Sequence, residues 1–113
     1  MRSLVPVVLV VFALGAAGCG GGGSSGGGSS PGAVSMKGLR FHPDNVTVKV
    51  GEKVTWTNDD NVDHNVTATG GAKFMSQAFG HGKTYSFTPR RAGVIKYVCT
   101  LHPGMLGKLV VKG

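Results

Sequence analysis

From residue 46 onward the chain repeats in twos. Val46, Val48 and Val50 alternate with Thr47 and Lys49 until Gly51 breaks the run, and Val54 and Trp56 alternate with Lys53, Thr55 and Thr57 until the turn-like "NDDN". Tyr85 and Phe87 stand between Thr84, Ser86 and Thr88. Ile95, Tyr97 and Cys99 share a face opposite Lys96, and Leu109 and Val111 alternate with Lys108, Val110 and Lys112. An apolar residue at every second position lines one face of a half-buried strand. Residues 64–69, closed by Gly70 and Gly71, give a further strand, and residues 34–41 a first one, for seven to eight in all. No stretch carries a capped apolar face of helical period. The pattern predicts an all-β sandwich of seven to eight strands.

The other end of the chain obeys different rules. Arg2 precedes an apolar run over residues 4–14 that is too short to span a membrane, followed by the small residues of "GAAGC". Residues 1–18 therefore read as an export signal. The stretch ending at Cys19 resembles a bacterial lipobox, which implies that Cys19 becomes the first mature residue and carries lipid. More than one acyl chain would anchor it stably. Residues 20–32, "GGGGSSGGGSSPG", cannot bury a core and make a flexible tether with a root-mean-square span of ~20 Å. The expected organisation is a signal peptide (1–18), a lipidated cysteine and linker (19–32) and one folded domain (33–113).

With Cys19 outside it, the domain keeps only Cys99, so no internal disulfide is possible. A lone thiol in an exported protein is a liability unless it is buried or ligated. Its setting, "YVCTLHPGM", crowds three soft ligands into one loop: Cys99, His102 and Met105. In phase with Ile95 and Tyr97, the sulfur should point inward at a strand end, and Pro103 and Gly104 should turn the chain so that His102 and Met105 fold back toward it. A further nitrogen must come from His42, His64 or His81. His64, directly after a polar turn, is the best placed. His42 beside Pro43 and His81 between Gly80 and Gly82 read as solvated surface histidines. Two imidazoles, a thiolate and a weak axial thioether form the blue-copper arrangement. Met75 is a second methionine that could compete as a ligand but is expected to sit in the core.

The segments "VTVKVGEKVTWTNDDNVDHNV" and "YVCTLHPGMLGKLVV" resemble cupredoxins of the plastocyanin and amicyanin group, with a C-x2-H-x2-M loop closer to amicyanin. The resemblance covers residues 34–113 and implies a cupredoxin-like Greek-key β-sandwich holding one type-1 copper. It implies His64, Cys99 and His102 as strong ligands and Met105 as the weak axial one. Asn65 is then expected to link the two ligand loops through the backbone or hydroxyl of Thr100. His102 is expected to show a ring edge through an apolar patch of Leu101, Pro103, Leu106 and Pro43.

Formal charge is +7 for the whole chain, and loss of Arg2 with the signal leaves 11 basic residues against 5 acidic ones. The basic residues are scattered, unlike the blocks of a nucleic-acid arm, so nucleic acid is not an expected partner. An acidic redox partner or an anionic membrane surface is. The chain is expected to act as a monomeric one-electron carrier at the cell envelope, not as an enzyme, because four histidines are too few for a second copper centre. A copper-delivery or storage lipoprotein is the alternative.

Overall fold

The computed structural model describes residues 32–113, and the expectations for the signal, Cys19 and the linker up to Pro31 lie outside those residues. Eight strands follow in order: β1 Ala33–Met36, β2 Phe41–His42, β3 Asn45–Lys49, β4 Val54–Asn58, β5 Thr67–Gly70, β6 Thr84–Phe87, β7 Gly93–Val98 and β8 Leu106–Lys112. They form two four-stranded sheets, ordered β2-β1-β4-β6 and β3-β8-β7-β5, with no helix among the described residues. Strands far apart in the chain lie side by side and parallel, β1 with β4 and β3 with β8, while the other pairings are antiparallel. This is the β-sandwich that the alternation predicts, with the topology that the cupredoxin resemblance implies.

Every second residue does face inward. Val46 and Val48, Val54 and Trp56, Ile95 and Tyr97, and Leu109 and Val111 are all buried. Trp56 and Tyr97, one from each sheet, meet edge to face at 5.2 Å, and Phe41 caps Tyr97 at 4.8 Å. Burial pushes the Tyr97 phenol up to about 12. Gly107 lies directly under that ring, so a Cβ there would collide with it. Gly71 is constrained twice, by φ +84° and by the Val94 carbonyl where its Cβ would be.

Three expectations need correction. The first strand is split into β1 and β2, because Gly38 and Leu39 turn the chain with positive φ. Val50 is 39% exposed, since the strand ends at Lys49 and Val50 belongs to the turn. Met75 is 75% exposed: Phe74 and Ser76 take the inward positions of a short alternating stretch, which turns Met75 out.

Strand directions define two poles. The end of β4, the end of β7 and the start of β8 meet at one pole. At the other, Val50 and Gly51 of the β3–β4 turn donate to the carbonyls of Lys112 and Pro89, and Thr55 N–H donates to Gly32. The chain thus enters the domain at the second pole.

Candidate metal centre

The site is built at the first pole. Cys99 continues the inward phase of β7 and is 3% exposed, a free buried thiol. The loop after it closes on itself: Cys99 N–H donates to the Met105 carbonyl (3.0 Å), and Met105 N–H donates to the His102 carbonyl (3.2 Å). Gly104 takes φ +85°, which allows the tight turn. Met105 therefore returns to the interior, 1% exposed, while His102 stays half-buried on the outer side.

His64 reaches the same place by a different route. It does not start a strand as expected, since β5 begins only at Thr67. His64 instead forms an isolated bridge with Phe79, each donating its N–H to the other's carbonyl at 3.1 and 2.9 Å. The cause is the preceding loop, organised around the fully buried Asn58. Its Nδ2 donates to the carbonyls of Val62 and Phe79, both at 2.8 Å, and its Oδ1 accepts from Asp60 N–H. His64 is 0% exposed.

His64, Cys99 and His102 converge, with one donor atom from each lying within 4.8 Å of the others. His64 Nδ1 is 3.7 Å from Cys99 Sγ, and the two imidazole rings are 4.9 Å apart, centre to centre. Each ring's other nitrogen is engaged. His64 Nε2 meets the Asp60 carboxylate at 2.8 Å, and His102 Nε2 meets the Asp63 carbonyl at 3.1 Å. Donation through Nε2 leaves Nδ1 of both rings as the lone-pair nitrogen, which is how a metal-ligating histidine is oriented. Cys99 Sγ accepts Asn65 N–H at 3.4 Å. One buried thiol and two outward-tied imidazoles around a common centre fit copper.

Asn65 joins the segment after His64 to the loop after Cys99 through Thr100, the link expected of it. Its Nδ2 donates to Thr100 Oγ1 (2.7 Å), and its Oδ1 accepts from Thr100 N–H (2.9 Å) and from the Thr67 hydroxyl (3.2 Å). Asp60 is the partner that sequence reading missed. Its two oxygens also accept the N–H groups of Gly38 and Leu39. Burial by itself would raise the Asp60 carboxyl. The Leu39 N–H, the His64 ring and the Gly38 N–H outweigh it and hold the group at about 2, against an ordinary 3.8. The position four residues before His64 was the available signal, hidden inside what read as a plain polar turn.

The remaining candidates fall outside the cluster. His42 and His81 are exposed, with ring nitrogens on the carbonyls of Lys37 and Asp60. Leu101 and Leu106 are 46% and 61% exposed, and Pro43 and Pro103 are exposed as well.

Residues 31–112 match the family described as copper binding proteins, plastocyanin/azurin family. The chain is 35% identical over 83 residues to amicyanin-alpha of Methylorubrum extorquens, covering 70% of each chain. It is 34% identical over 86 residues to the chloroplastic plastocyanin of Tetradesmus obliquus, covering 66% of this chain and 59% of that one. Among solved structures, an amicyanin mutant in its Cu(I) form superposes with a TM-score of 0.67 at 33% identity, over 71% of this chain and 80% of that one.

Proposed function

The chain belongs to the plastocyanin/azurin family of copper-binding proteins, and on that premise we propose that it is a blue copper electron carrier, not an enzyme. It would pass one electron at a time between redox partner proteins at the cell envelope. His64, Cys99 and His102 would hold the copper, with Met105 as the weak axial ligand. When bound, copper supplies a one-electron couple between Cu(I) and Cu(II).

The observation that carries this reading is the asymmetry of a fully tied cluster. His64 and Cys99 are buried and each is fixed by hydrogen bonds, whereas His102 alone is half-exposed at the rim. Buried, pre-tied ligands resist rearrangement when charge changes, so little reorganisation accompanies an electron's arrival or departure. His102 is the ring edge a partner can approach. Leu101, Pro103 and Leu106 provide exposed apolar surface on its own loop and the strand that follows, suited to brief redox encounters with small interfaces. Partners with acidic docking surfaces were expected from net charge. The exposed surface on the loop of His102 is apolar and supplies no preference for an acidic partner of its own.

Export through the signal at residues 1–18 and lipid attachment at Cys19 complete the proposal. A carrier leashed through residues 20–32 stays near membrane-bound donors. The decisive experiment adds Cu(II) to the purified protein and records visible and EPR spectra, then measures self-exchange and challenges the reduced form with a Cu(I) chelator. An intense blue band, fast self-exchange and slow copper loss are expected. Rapid loss with slow self-exchange would instead indicate copper delivery.

A further inference from the structure

We propose that the pole opposite the metal centre is a docking surface for an anionic lipid bilayer. Three segments meet there: the β3–β4 turn, the β6–β7 connection and the end of β8, held by Val50 N–H on the Lys112 carbonyl and Gly51 N–H on the Pro89 carbonyl. They present five exposed cations, Lys49, Lys53, Arg90, Arg91 and Lys112, none of them in an ion pair among the described residues. The one acidic side chain of these segments, Glu52, is occupied by Lys49 N–H. A groove of about 1080 Å³ on the same flank extends the charge, with exposed Lys73, Arg90 and Arg91 above buried Phe74 and Pro89.

The metal pole has no such excess. Asp44, Asp59, Asp60 and Asp63 stand there against Lys37, Arg40, Lys83 and Lys108, with Lys96 paired beside Lys108, so the two signs nearly balance. Charge is therefore segregated along the molecule, and the domain's positive charge is concentrated at the pole where the chain enters through Gly32. The choice of a bilayer as occupant rests on the proposed anchoring at Cys19, because a tether that ends at this pole brings this pole, and not the other, to the membrane first.

Screening makes the arrangement orienting. The seven residues of β8 separate the poles by about 20 Å at ~3.3 Å per residue. That is more than twice the Debye length of ~8 Å at physiological salt, so cations at the metal pole feel little of a surface touching the other. The docked domain thus holds His102 away from the lipid, where a partner protein can reach it.

The test uses the chain from residue 19 onward with Cys19→Ser, so that no acyl chain contributes; all eight strands and the whole buried core lie within it. Copper-loaded protein is sedimented with phosphatidylcholine vesicles, with and without phosphatidylglycerol, across a salt series. Binding should require phosphatidylglycerol and weaken as salt rises. Replacing Arg90→Gln and Arg91→Gln together should weaken it about 25-fold, at about fivefold per cation. Lys37→Gln with Arg40→Gln, at the metal pole, should leave the binding curve in place. Equal losses for the two pairs, or equal binding to neutral vesicles, would overturn the proposal. The blue band of each variant reports the metal site independently, and mass measurement of acylated Cys19 in the full-length product tests the anchor separately.

Discussion

His64 and His102 bring the same imidazole to the same centre under opposite conditions. His64 is fully buried, its ring on a carboxylate, its backbone bonded in both directions to Phe79, and its neighbour Asn65 stitched to Thr100. His102 is half-buried on a seven-residue loop, and a single carbonyl holds its ring. One side of the centre is fixed by the fold and the other is presented to solvent. The difference teaches how one site can meet two demands: the buried side keeps geometry constant, and the open side, on the proposed function, is where an electron would pass.

The largest effect should come from the sulfur both histidines face. Cys99→Ala should abolish the intense blue absorption entirely, and a surviving blue band would remove the thiolate from the site. Next, the contrast itself can be broken. His64→Ala leaves a cavity and removes the ring hydrogen bond to the Asp60 carboxylate, and should lower unfolding stability of the metal-free protein by about 2–4 kcal/mol. His102→Ala should cost less than about 1 kcal/mol, because its ring is already half in water. Chemical denaturation of the two variants side by side decides it; similar losses would mean that the asymmetry is only apparent.

Asn65→Ala removes the stitch between the two sides and leaves the Thr100 N–H without its acceptor, for an expected loss of about 1–3 kcal/mol. Met105→Leu should keep copper and raise the reduction potential, since the thioether favours Cu(II) over Cu(I). An unchanged potential would show that Met105 is not the axial ligand. Exposed Met75 is poorly placed to replace it.

The smallest effect is acid-dependent. Asp60 is held at about 2 when folded against 3.8 ordinarily, so its contribution to stability is present above about pH 4 and is lost as pH falls through about 2. Asp60→Asn should flatten the stability of metal-free protein over that window and leave its slope above pH 5 untouched. An unchanged acid limb would detach the carboxylate from the fixed side of the site.

The strands were legible in residues 46–49, 54–57, 95–99 and 109–111 because alternation is a local signal and burial follows it directly. Cys99, His102 and Met105 were legible for the same reason, sitting three apart in one short loop. His64 was found by elimination and position, yet its surroundings were not. The bridge to Phe79, the Asn58 scaffold and the Asp60 carboxylate join residues across turns whose polar composition looks like any solvated loop. Val50 keeps the phase of Val46 and Val48 but lies one residue beyond the end of β3, and Met75 is turned out because Phe74 and Ser76 take the inward positions around it.

The sequence by itself determined that the chain is all-β and which soft ligands share a loop, because both depend on spacings of two or three residues. Tertiary structure alone decided which nitrogen of each histidine is tied, which ring is buried and where the positive charge collects. Those depend on the parallel pairing of β1 with β4 and of β3 with β8, which brings distant segments to a common pole. A spacing along the chain cannot report such a neighbour, since contact there is set by sheet order and not by sequence distance.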